Sequence, residues 1–381
     1  MKRNHKKRLA ILGSTGSIGR QSLEVVRHLS SEFELVGLVA GRQSVLLTEQ
    51  ALEFKPQWVM SQQNQALQGK LPAHTRILDN EEQLCEQLAG PDIDLVLCAI
   101  VGTAGLLPVL SAIRSGKDIA LASKEILVMA GELVMREAAK SGSRILPVDS
   151  EHCAIFQCLQ GQSEAEFKRI LLTASGGPFY ADPELDLELV SLEQALQHPT
   201  WSMGRKISLD SATMMNKALE IIEAAWLFNA RPEQIEVLVH PQSIVHSMVE
   251  FKDHSILAQL GLPDMRLPIQ YCLQYPQRTP SLQQSMDFSK VWKLEFMPPD
   301  LKRFPATELA RLALQQGGAA GAVLNAANEV AVERFCRKEI SFAKISRIVA
   351  DTLQKLPKYS ADSLEDILMA DSEARKFAAT R

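Results

Sequence analysis

LAILGSTGSIG, residues 9–19, is the stretch that decides the fold. The apolar run at residues 9–12 predicts a buried strand, and the glycine-rich segment after it opens an amphipathic helix predicted over residues 17–29. Glycines here permit a tight turn and let backbone N–H groups approach a diphosphate at the positive end of a helix. Their Gly-x-x-Gly-x-x-Gly spacing differs from the commoner Gly-x-Gly-x-x-Gly, so a turn without a ligand stays an alternative. The position directly after a strand favours dinucleotide binding.

Outward from this stretch, short apolar runs alternate with amphipathic segments through the first 148 residues. Strands are predicted at residues 33–40, 57–60, 94–100, 118–122 and 144–148. Helices are predicted at residues 45–54, from residue 105 onward, and at residues 125–139. Strict alternation is typical of a parallel sheet covered on both faces. Residues 1–148 are therefore predicted to form a doubly wound, Rossmann-like α/β domain that binds a nucleotide.

The pattern changes after residue 148. Residues 149–274 are predicted to form a central α+β catalytic domain with strands at 169–173 and 235–239 and one long helix at 211–228. Within it, residues 176–204 are too long for a simple connection and predict a mobile lid loop. Residues 275–305 predict a linker. Residues 306–381 predict a C-terminal helical bundle, with helices at 306–316, 319–336, 341–356 and 363–377.

Composition excludes several classes of protein. Of 381 residues, 46% are hydrophobic and 23% are charged, which is typical of a globular protein of two or three domains. The net charge of −4 favours neither a nucleic-acid nor a membrane partner. The uncharged residues 95–113 are interrupted by Gly102, Gly105 and Pro108, which predicts strand, loop and helix instead of a membrane span. The basic N-terminus lacks the apolar core of a signal peptide, so a cytoplasmic location is expected. The six cysteines show no CxxC pair and predict reduced, buried thiols.

The end of the second predicted strand indicates which cofactor is bound. A free ribose 2′-hydroxyl calls for Asp or Glu there, and the sequence offers Arg42 instead. A guanidinium suits a dianionic phosphate, which favours NADPH over NADH. A solvated loop arginine is the alternative.

Two carboxylates directly follow the last predicted strand of the first domain. In an extended backbone, residues two apart face the same way, so Asp149 and Glu151 can converge on one point. Paired carboxylates suit Mg²⁺ or Mn²⁺ when a third oxygen ligand exists. The other interpretation is that these residues begin a helix, where acidic side chains interact favourably with the helix dipole.

The predicted helix at 211–228 offers the third ligand. Asn216, Glu220 and Glu223 share one stripe of that helix, with Lys217 one turn from Glu220 and Ser211 at its head. This set would suit a phosphorylated polyol, although such pairs are usually solvated surface. Ser175 in SGGPF, residues 175–179, follows a strand and predicts a phosphate cradle. His198, Trp201 and Met203 predict a lid that buries them over a ligand, with ordinary packing as the alternative.

Seven motifs together resemble the 1-deoxy-D-xylulose 5-phosphate reductoisomerase family. They are GSTGSIG (13–19), LASKE (121–125), PVDSEH (147–152), SGGPF (175–179), HPTWSMG (198–204), KISLDSATMMNKALE (206–220) and LNAANE (324–329). The resemblance covers essentially the whole chain, in order. It departs at Gln43, Ser123 and Thr200, where members often have Asn, and the side-chain contact of Gln43 is open for that reason.

The resemblance implies a role for each matching residue. Metal ligands would be Asp149, Glu151 and Glu220, which with Lys124 form the catalytic set. Substrate and its phosphate would be held by Lys124, Ser150, Glu151, Ser175, His198, Trp201, Met203, Ser211, Asn216, Lys217 and Glu220. NADPH would lie along Ser14, Thr15, Gly16, Ser17, Ile18, Gly41, Arg42, Gln43, Ser123, Glu125 and Gly204. The metal would be Mg²⁺ or Mn²⁺, with Co²⁺ a further candidate.

The implied reaction rearranges a sugar phosphate, 1-deoxy-D-xylulose 5-phosphate, and reduces the resulting aldehyde with NADPH to 2-C-methyl-D-erythritol 4-phosphate, a step of non-mevalonate isoprenoid biosynthesis. The family also implies a homodimer. Two alternatives stay open. One is an NADP-dependent semialdehyde dehydrogenase with Cys153 as nucleophile, although the adjacent His152 points about 100° away on a helix. The other is a non-catalytic NADPH-binding sensor.

Overall fold

The computed structural model describes residues 6–163, 166–197 and 204–381. The chain divides into two compact units. One comprises Met1–Ile126, Val134–Cys153 and Asp264–Gln284, and the other comprises Leu127–Leu133, Ala154–Pro263 and Ser285–Arg381. The division of the sequence into parts 1–148, 149–274, 275–305 and 306–381 stays a prediction.

A seven-stranded parallel sheet forms the centre of the first unit. Its strands are β1 (Lys7–Leu12), β2 (Phe33–Ala40), β3 (Trp58–Ser61), β4 (Arg76–Ile77), β5 (Leu95–Cys98), β6 (Asp118–Leu121) and β7 (Ile145–Pro147). Their order is β4-β3-β2-β1-β5-β6-β7, which confirms the predicted doubly wound sheet. The direction of winding reverses beside β1, and ligands of such sheets bind at the carboxyl end of the strands at this point.

A second, four-stranded sheet belongs to the second unit. It contains β8 (Phe167–Ala174), β9 (Ile235–Val239), β10 (Val245–Phe251) and β11 (Ile256–Leu260), in the order β11-β10-β8-β9. Strand β10 runs antiparallel to both of its neighbours, and β8 and β9 are parallel. The predicted strands at 169–173 and 235–239 are confirmed, whereas β10 and β11 were not predicted.

Fourteen α-helices occur in the described residues. They are α1 (Ser17–His28), α2 (Ser44–Phe54), α3 (Glu81–Ala89), α4 (Leu106–Arg114), α5 (Lys124–Ser141), α6 (Ser150–Cys158), α7 (Leu192–Ala195), α8 (Arg205–Ala212), α9 (Met215–Leu227), α10 (Arg266–Gln274), α11 (Ala306–Gln316), α12 (Ala320–Cys336), α13 (Lys344–Lys355) and α14 (Leu364–Ala379). The four predicted C-terminal helices are confirmed as α11 to α14. Helix α14 begins with a capping box, in which Ser363 and Asp366 bond each other's backbone N–H.

The long helix predicted at 211–228 is wrong as a single element. The chain forms α8 and α9 instead, because Met214 between them adopts the left-handed conformation with φ of 60°. The Thr213 hydroxyl supports the break by donating to the carbonyl of Leu209 at 3.0 Å and accepting from the N–H of Met215 at 3.3 Å. Ser211 therefore lies in the last turn of α8, not at the head of α9. Apolar periodicity misses such a break because it continues on both sides.

Two further regions differ from the sequence prediction. Residues 61–93 contain β4 and α3, which were not predicted, although Asn80 caps α3 by accepting from the N–H of Gln83 at 2.9 Å. The predicted loop 176–204 contains a 3₁₀ turn, Leu187–Leu189, and the short helix α7 in its described part. Within the described chain, no helix is both long and apolar enough to cross a membrane. All six cysteines are free thiols, and four of them are buried as predicted, whereas Cys85 and Cys336 are partly exposed.

Candidate active site

The glycine-rich loop connects β1 to α1 at the point where the sheet reverses its winding. Gly13 has φ of +91°, and a Cβ there would lie 2.5 Å from the carbonyl oxygen of Ala99, just beyond β5. A Cβ at Gly19 would lie 2.2 Å from the carbonyl oxygen of Gly13, so this glycine lets α1 pack against the loop. Neither position tolerates a side chain. The loop therefore presents the first turn of α1, with Thr15, Gly16, Ser17 and Ile18, at the strand ends, as a dinucleotide site requires.

Ser14 differs from the other residues of this loop. Its side chain is buried, its hydroxyl donates to Oε1 of Gln50 at 2.8 Å, and its N–H donates to the carbonyl of Val39 at 2.9 Å. Both of its hydrogen-bond donors are therefore used inside the protein. The contact of Ser14 with the cofactor stays a prediction.

Gly41, Arg42 and Gln43 are exposed between β2 and α2. The carbonyl of Gly41 accepts from the Ser61 hydroxyl at 2.8 Å and from the N–H of Gln62 at 3.1 Å. These bonds hold the backbone of the turn and leave the Arg42 side chain on the surface. An exposed guanidinium beside a strand end fits a 2′-phosphate.

Ser123 and Glu125 flank Lys124 at the start of α5, and both are buried. The Ser123 hydroxyl donates to the carbonyl of Ile100 at 2.6 Å, which ties this helix start to the loop after β5. Gly204 is exposed immediately before α8. His198, Trp201 and Met203 lie outside the described residues.

Lys124 and Asp149 form an enclosed ion pair near the strand ends of the first unit, with Nζ 2.8 Å from Oδ2 and side-chain exposures of 11% and 13%. The other oxygen of Asp149, Oδ1, accepts from the N–H of Glu151 at 3.2 Å and lies 3.5 Å from Nδ1 of His152. The predicted extended backbone at Asp149–Glu151 is wrong, because Ser150 and Glu151 form the first turn of α6. Asp149 lies just before that turn and accepts from its backbone, which is the geometry of a helix start.

Glu220 in α9 has two partners on its own helix. It accepts from the amide of Asn216 through Oε1 and from the ammonium of Lys217 through Oε2. Its side chain is 1% exposed, so the carboxylate is held in place away from bulk water. Burial of a charge in this way is costly unless it is paired, as it is here.

Asp149, Glu151 and Glu220 each offer one carboxylate oxygen, and these oxygens lie within 4.8 Å of one another. Three hard oxygen donors at this separation fit a divalent cation such as Mg²⁺ or Mn²⁺. The same three carboxylates are the set that the sequence predicts.

The predicted phosphate residues lie in the second unit. The loop after β8 holds Ser175, whose hydroxyl accepts from the N–H of Gly177 at 3.4 Å. Gly177 has φ of +70°, and a Cβ there would lie 2.7 Å from the carbonyl oxygen of Ser211. The Ser175 loop is therefore brought against the end of α8 that carries Ser211, just before the helix with Asn216 and Lys217. Hydroxyl, amide and ammonium donors suit a phosphate.

Three residues that the sequence analysis missed support these loops. Gln50 bonds Ser14, and its polar side chain on the buried stripe of α2 is a signal that could have found it. Asp210, next to Ser211, accepts from Lys206 and from Asn328, both at 2.8 Å. Arg303 donates to the carbonyls of Phe179 and Leu185, both at 3.2 Å. No local pattern marks Arg303.

Cys153 is buried beside Cys272 in the first unit. Burial and the neighbouring Cys153 thiol raise the pKa of Cys272 well above its usual value, and the Cys272 thiol donates to the carbonyl of Pro147 at 2.9 Å. A reactive nucleophile needs an accessible, electropositive surrounding that favours the thiolate. This environment does not suit a catalytic Cys153.

Comparison with known proteins gives consistent matches along the chain. Family models match in three segments: 1-deoxy-D-xylulose 5-phosphate reductoisomerase at residues 9–131, the C-terminal domain of that enzyme at 145–228, and the DXP reductoisomerase C-terminal domain at 260–377. The 1-deoxy-D-xylulose 5-phosphate reductoisomerase of Chloroherpeton thalassium is 48% identical over 376 residues, 97% of each chain. That of Clostridium perfringens is 46% identical over 381 residues, 97% of this chain and 98% of the relative.

Solved structures agree. The reductoisomerase of Zymomonas mobilis in complex with NADPH superposes with a TM-score of 0.91 at 42% identity, covering 99% of each chain. A DOX-P reductoisomerase in complex with NADPH, fosmidomycin and magnesium also has a TM-score of 0.91, at 40% identity over 98% of each chain.

Proposed function

The chain belongs to the 1-deoxy-D-xylulose 5-phosphate reductoisomerase family, and we propose from this membership and the site geometry how its own residues perform the family's reaction. It is an enzyme that isomerises and reduces 1-deoxy-D-xylulose 5-phosphate to 2-C-methyl-D-erythritol 4-phosphate with NADPH and a divalent metal ion. The observation that carries the proposal is the group of three carboxylate oxygens within 4.8 Å of one another.

Asp149, Glu151 and Glu220 would hold the metal ion. When bound, a divalent ion polarises the substrate carbonyl and NADPH supplies the hydride. Lys124 holds one oxygen of Asp149 at 2.8 Å. Its ammonium would contribute a positive charge beside the substrate oxygens. Asn216 and Lys217 fix both oxygens of Glu220 in the same way, so the carboxylates need little rearrangement during the reaction.

The substrate phosphate would be bound by Ser175, Ser211, Asn216 and Lys217, with Ser150 and His198 as further contacts. Ser150 donates its hydroxyl to Glu151, which orients this carboxylate at the start of α6. Trp201 and Met203 would cover substrate and nicotinamide and exclude water from the reactive aldehyde. NADPH would lie on the first turn of α1, with its 2′-phosphate at Arg42, its nicotinamide end near Ser123 and Glu125, and Gly204 close to it.

The test follows NADPH oxidation by the purified protein with 1-deoxy-D-xylulose 5-phosphate and Mn²⁺. Parallel reactions contain EDTA, or NADH in place of NADPH. Metal-dependent oxidation of NADPH, well above that of NADH, is the expected result. A protein that binds NADPH but oxidises none would contradict the proposed chemistry.

The alternative of a cysteine-dependent dehydrogenase predicts that alkylation of Cys153 abolishes turnover. Because that thiol is buried beside Cys272, we expect the Cys153→Ser variant to keep its activity. The alternative of a non-catalytic sensor predicts metal-independent NADPH binding without turnover. A sensor of this kind would not need a group of three carboxylates, of which Asp149 is paired with Lys124 and Glu220 with Lys217.

A homodimer and a cytoplasmic location complete the proposal, together with the four-part division of the chain at residues 148, 274 and 305. Edge strand β11 supports the dimer, because its Ile256 and Leu257 are 50% and 44% exposed and an edge strand can pair with a strand from a second copy. Leu257→Lys should lower the molecular mass measured by sedimentation. Leu189→Lys, at an exposed leucine outside the sheet, is the control. An unchanged mass in the first variant would exclude this surface.

A further inference from the structure

Gln50 is a buried polar residue in the middle of α2, with a residue exposure of 5%. Its side-chain amide bonds a single residue twice. Nε2 donates to the carbonyl of Ser14 at 3.0 Å, and Oε1 accepts from the Ser14 hydroxyl at 2.8 Å. A reciprocal pair of this kind fixes both the position and the rotation of the residue it bonds.

These bonds complete the anchoring of Ser14. Its N–H donates to the carbonyl of Val39 in β2, so the backbone N–H, the backbone carbonyl and the hydroxyl of Ser14 all have partners inside the protein. Ser14 follows Gly13, whose φ of +91° permits the turn, and precedes the residues that present their backbone at the start of α1. A fixed Ser14 therefore sets the path of the chain into that helix.

Helix α2 also begins directly after the turn that carries Arg42. That turn is held from its other side by the Ser61 hydroxyl, which donates to the carbonyl of Gly41. Gln50 lies on the buried side of α2 with Leu47 and Ala51, so the helix cannot shift without disturbing Ser14. The Gln50 side chain thus connects the diphosphate loop, residues 13–16, to α2, the helix that begins directly after the turn with Arg42.

We propose that Gln50 is a positioning residue for NADPH, which acts through Ser14 and sets the spacing between the diphosphate loop and Arg42. This inference rests on the proposed NADPH-dependent function. Both polar atoms of the Gln50 side chain bond Ser14, so Gln50 would act on the cofactor through that residue. Its loss should weaken NADPH binding and leave the chemical step unchanged.

The test compares Gln50→Leu and Gln50→Glu with the parent protein. NADPH Kd is measured by fluorescence titration without substrate, and kcat and both KM values are measured by NADPH oxidation. Leu removes both bonds, and the Glu carboxylate still accepts from the Ser14 hydroxyl but cannot donate to its carbonyl. For each variant, Kd and KM for NADPH should rise about tenfold, the scale of a buried carbonyl left without its donor. At saturating NADPH, kcat and the KM for the sugar phosphate should stay within about twofold.

The matched control is Gln270→Leu. Gln270 is a second buried glutamine of the first unit, and its amide donates to Thr279 and Pro280, away from the loop. It should lower the urea midpoint and leave the NADPH Kd unchanged. If both glutamine variants raise the Kd equally, general destabilisation explains the effect and the proposal is overturned. An unchanged Kd in a folded Gln50→Leu protein overturns it as well.

Ser14→Ala removes one of the two bonds and keeps the proposal testable if Gln50→Leu does not fold. It should raise the NADPH Kd by about threefold, and the Ser14→Ala and Gln50→Glu effects should combine to less than their product. Independent effects would contradict a role of Gln50 through Ser14. Failure of the proposed function is distinguishable, because a parent protein that binds NADPH without turnover still shows whether Gln50 changes the Kd.

Discussion

The ammonium nitrogen of Lys124 lies 2.8 Å from Oδ2 of Asp149, although 24 residues separate the two along the chain. Parallel pairing of β6 with β7 brings them together, because Leu121 pairs with Pro147 and each charged residue follows its strand by two or three positions. The half-buried ammonium of Lys124 thus holds Oδ2 of Asp149, whereas the N–H of Glu151 and Nδ1 of His152 lie beside Oδ1.

Lys124→Met should lower kcat about a hundredfold, the scale of removing one electrostatic stabiliser from an enclosed site. It should also raise the metal concentration needed for half-maximal rate, because Asp149 loses its partner. Lys140→Met removes an exposed ammonium on the same helix and is the control. Equal rates for the Lys124 and Lys140 variants would exclude the charge of Lys124 from the reaction.

Glu220→Gln should leave the NADPH Kd unchanged and lower turnover about a hundredfold. The amide cannot supply the negative oxygen that a divalent cation requires. Turnover as a function of Mn²⁺ concentration measures the effect, and the exposed Glu233→Gln is the control. Turnover close to that of the parent protein would remove Glu220 from the metal site.

Arg42→Ala should reduce the preference for NADPH over NADH by about tenfold to a hundredfold, since it removes a charge-assisted contact to the 2′-phosphate. The kcat/KM for each cofactor gives the ratio. NADH should be affected little, and Arg114→Ala, at an exposed arginine paired with Glu137, should leave the ratio unchanged. A variant that loses activity equally with both cofactors would contradict recognition of the phosphate.

Arg303→Ala should raise the KM for the sugar phosphate by about threefold to tenfold through the Ser175 loop. The guanidinium bonds the carbonyls of Phe179 and Leu185, so its removal frees the segment that follows the phosphate cradle. Lys302→Ala, at the exposed neighbour, is the control. The NADPH Kd should not change, and a rise in that constant instead would point to general disorder.

Glu250 makes stability dependent on pH. Hydrogen bonds from Lys168, Arg169 and His254 lower the pKa of Glu250 to about 2 from its usual 4.5. A carboxyl with a lowered folded-state pKa stabilises the fold above its unfolded pKa and loses that contribution as pH falls through the folded value. Glu250→Gln should therefore reduce the urea midpoint clearly at pH 7 and much less near pH 2. An equal reduction at both pH values would contradict the charge effect.

The local pattern of apolar and polar residues was sufficient to predict most strands and helices of the first unit. Apolar runs followed by amphipathic segments predicted the doubly wound sheet, because the period of side-chain burial is a property of neighbouring residues. The same reasoning selected Arg42, since the end of the second strand is identifiable without long-range contacts. It failed where the chain departs from a simple period, at the two-residue strand β4 and at Met214, whose left-handed conformation divides the predicted helix.

Long-range packing determined the geometry of the candidate site. Whether Asp149 and Glu151 lie on extended chain or at a helix start could not be settled from their spacing, and the structure places Glu151 in the first turn of α6. The carboxylate oxygens of Asp149, Glu151 and Glu220 converge across about 70 residues of chain, and Ser14 turns inward to Gln50, 36 residues later. Such contacts depend on which elements pack together. Residue type and spacing along the chain do not determine that packing.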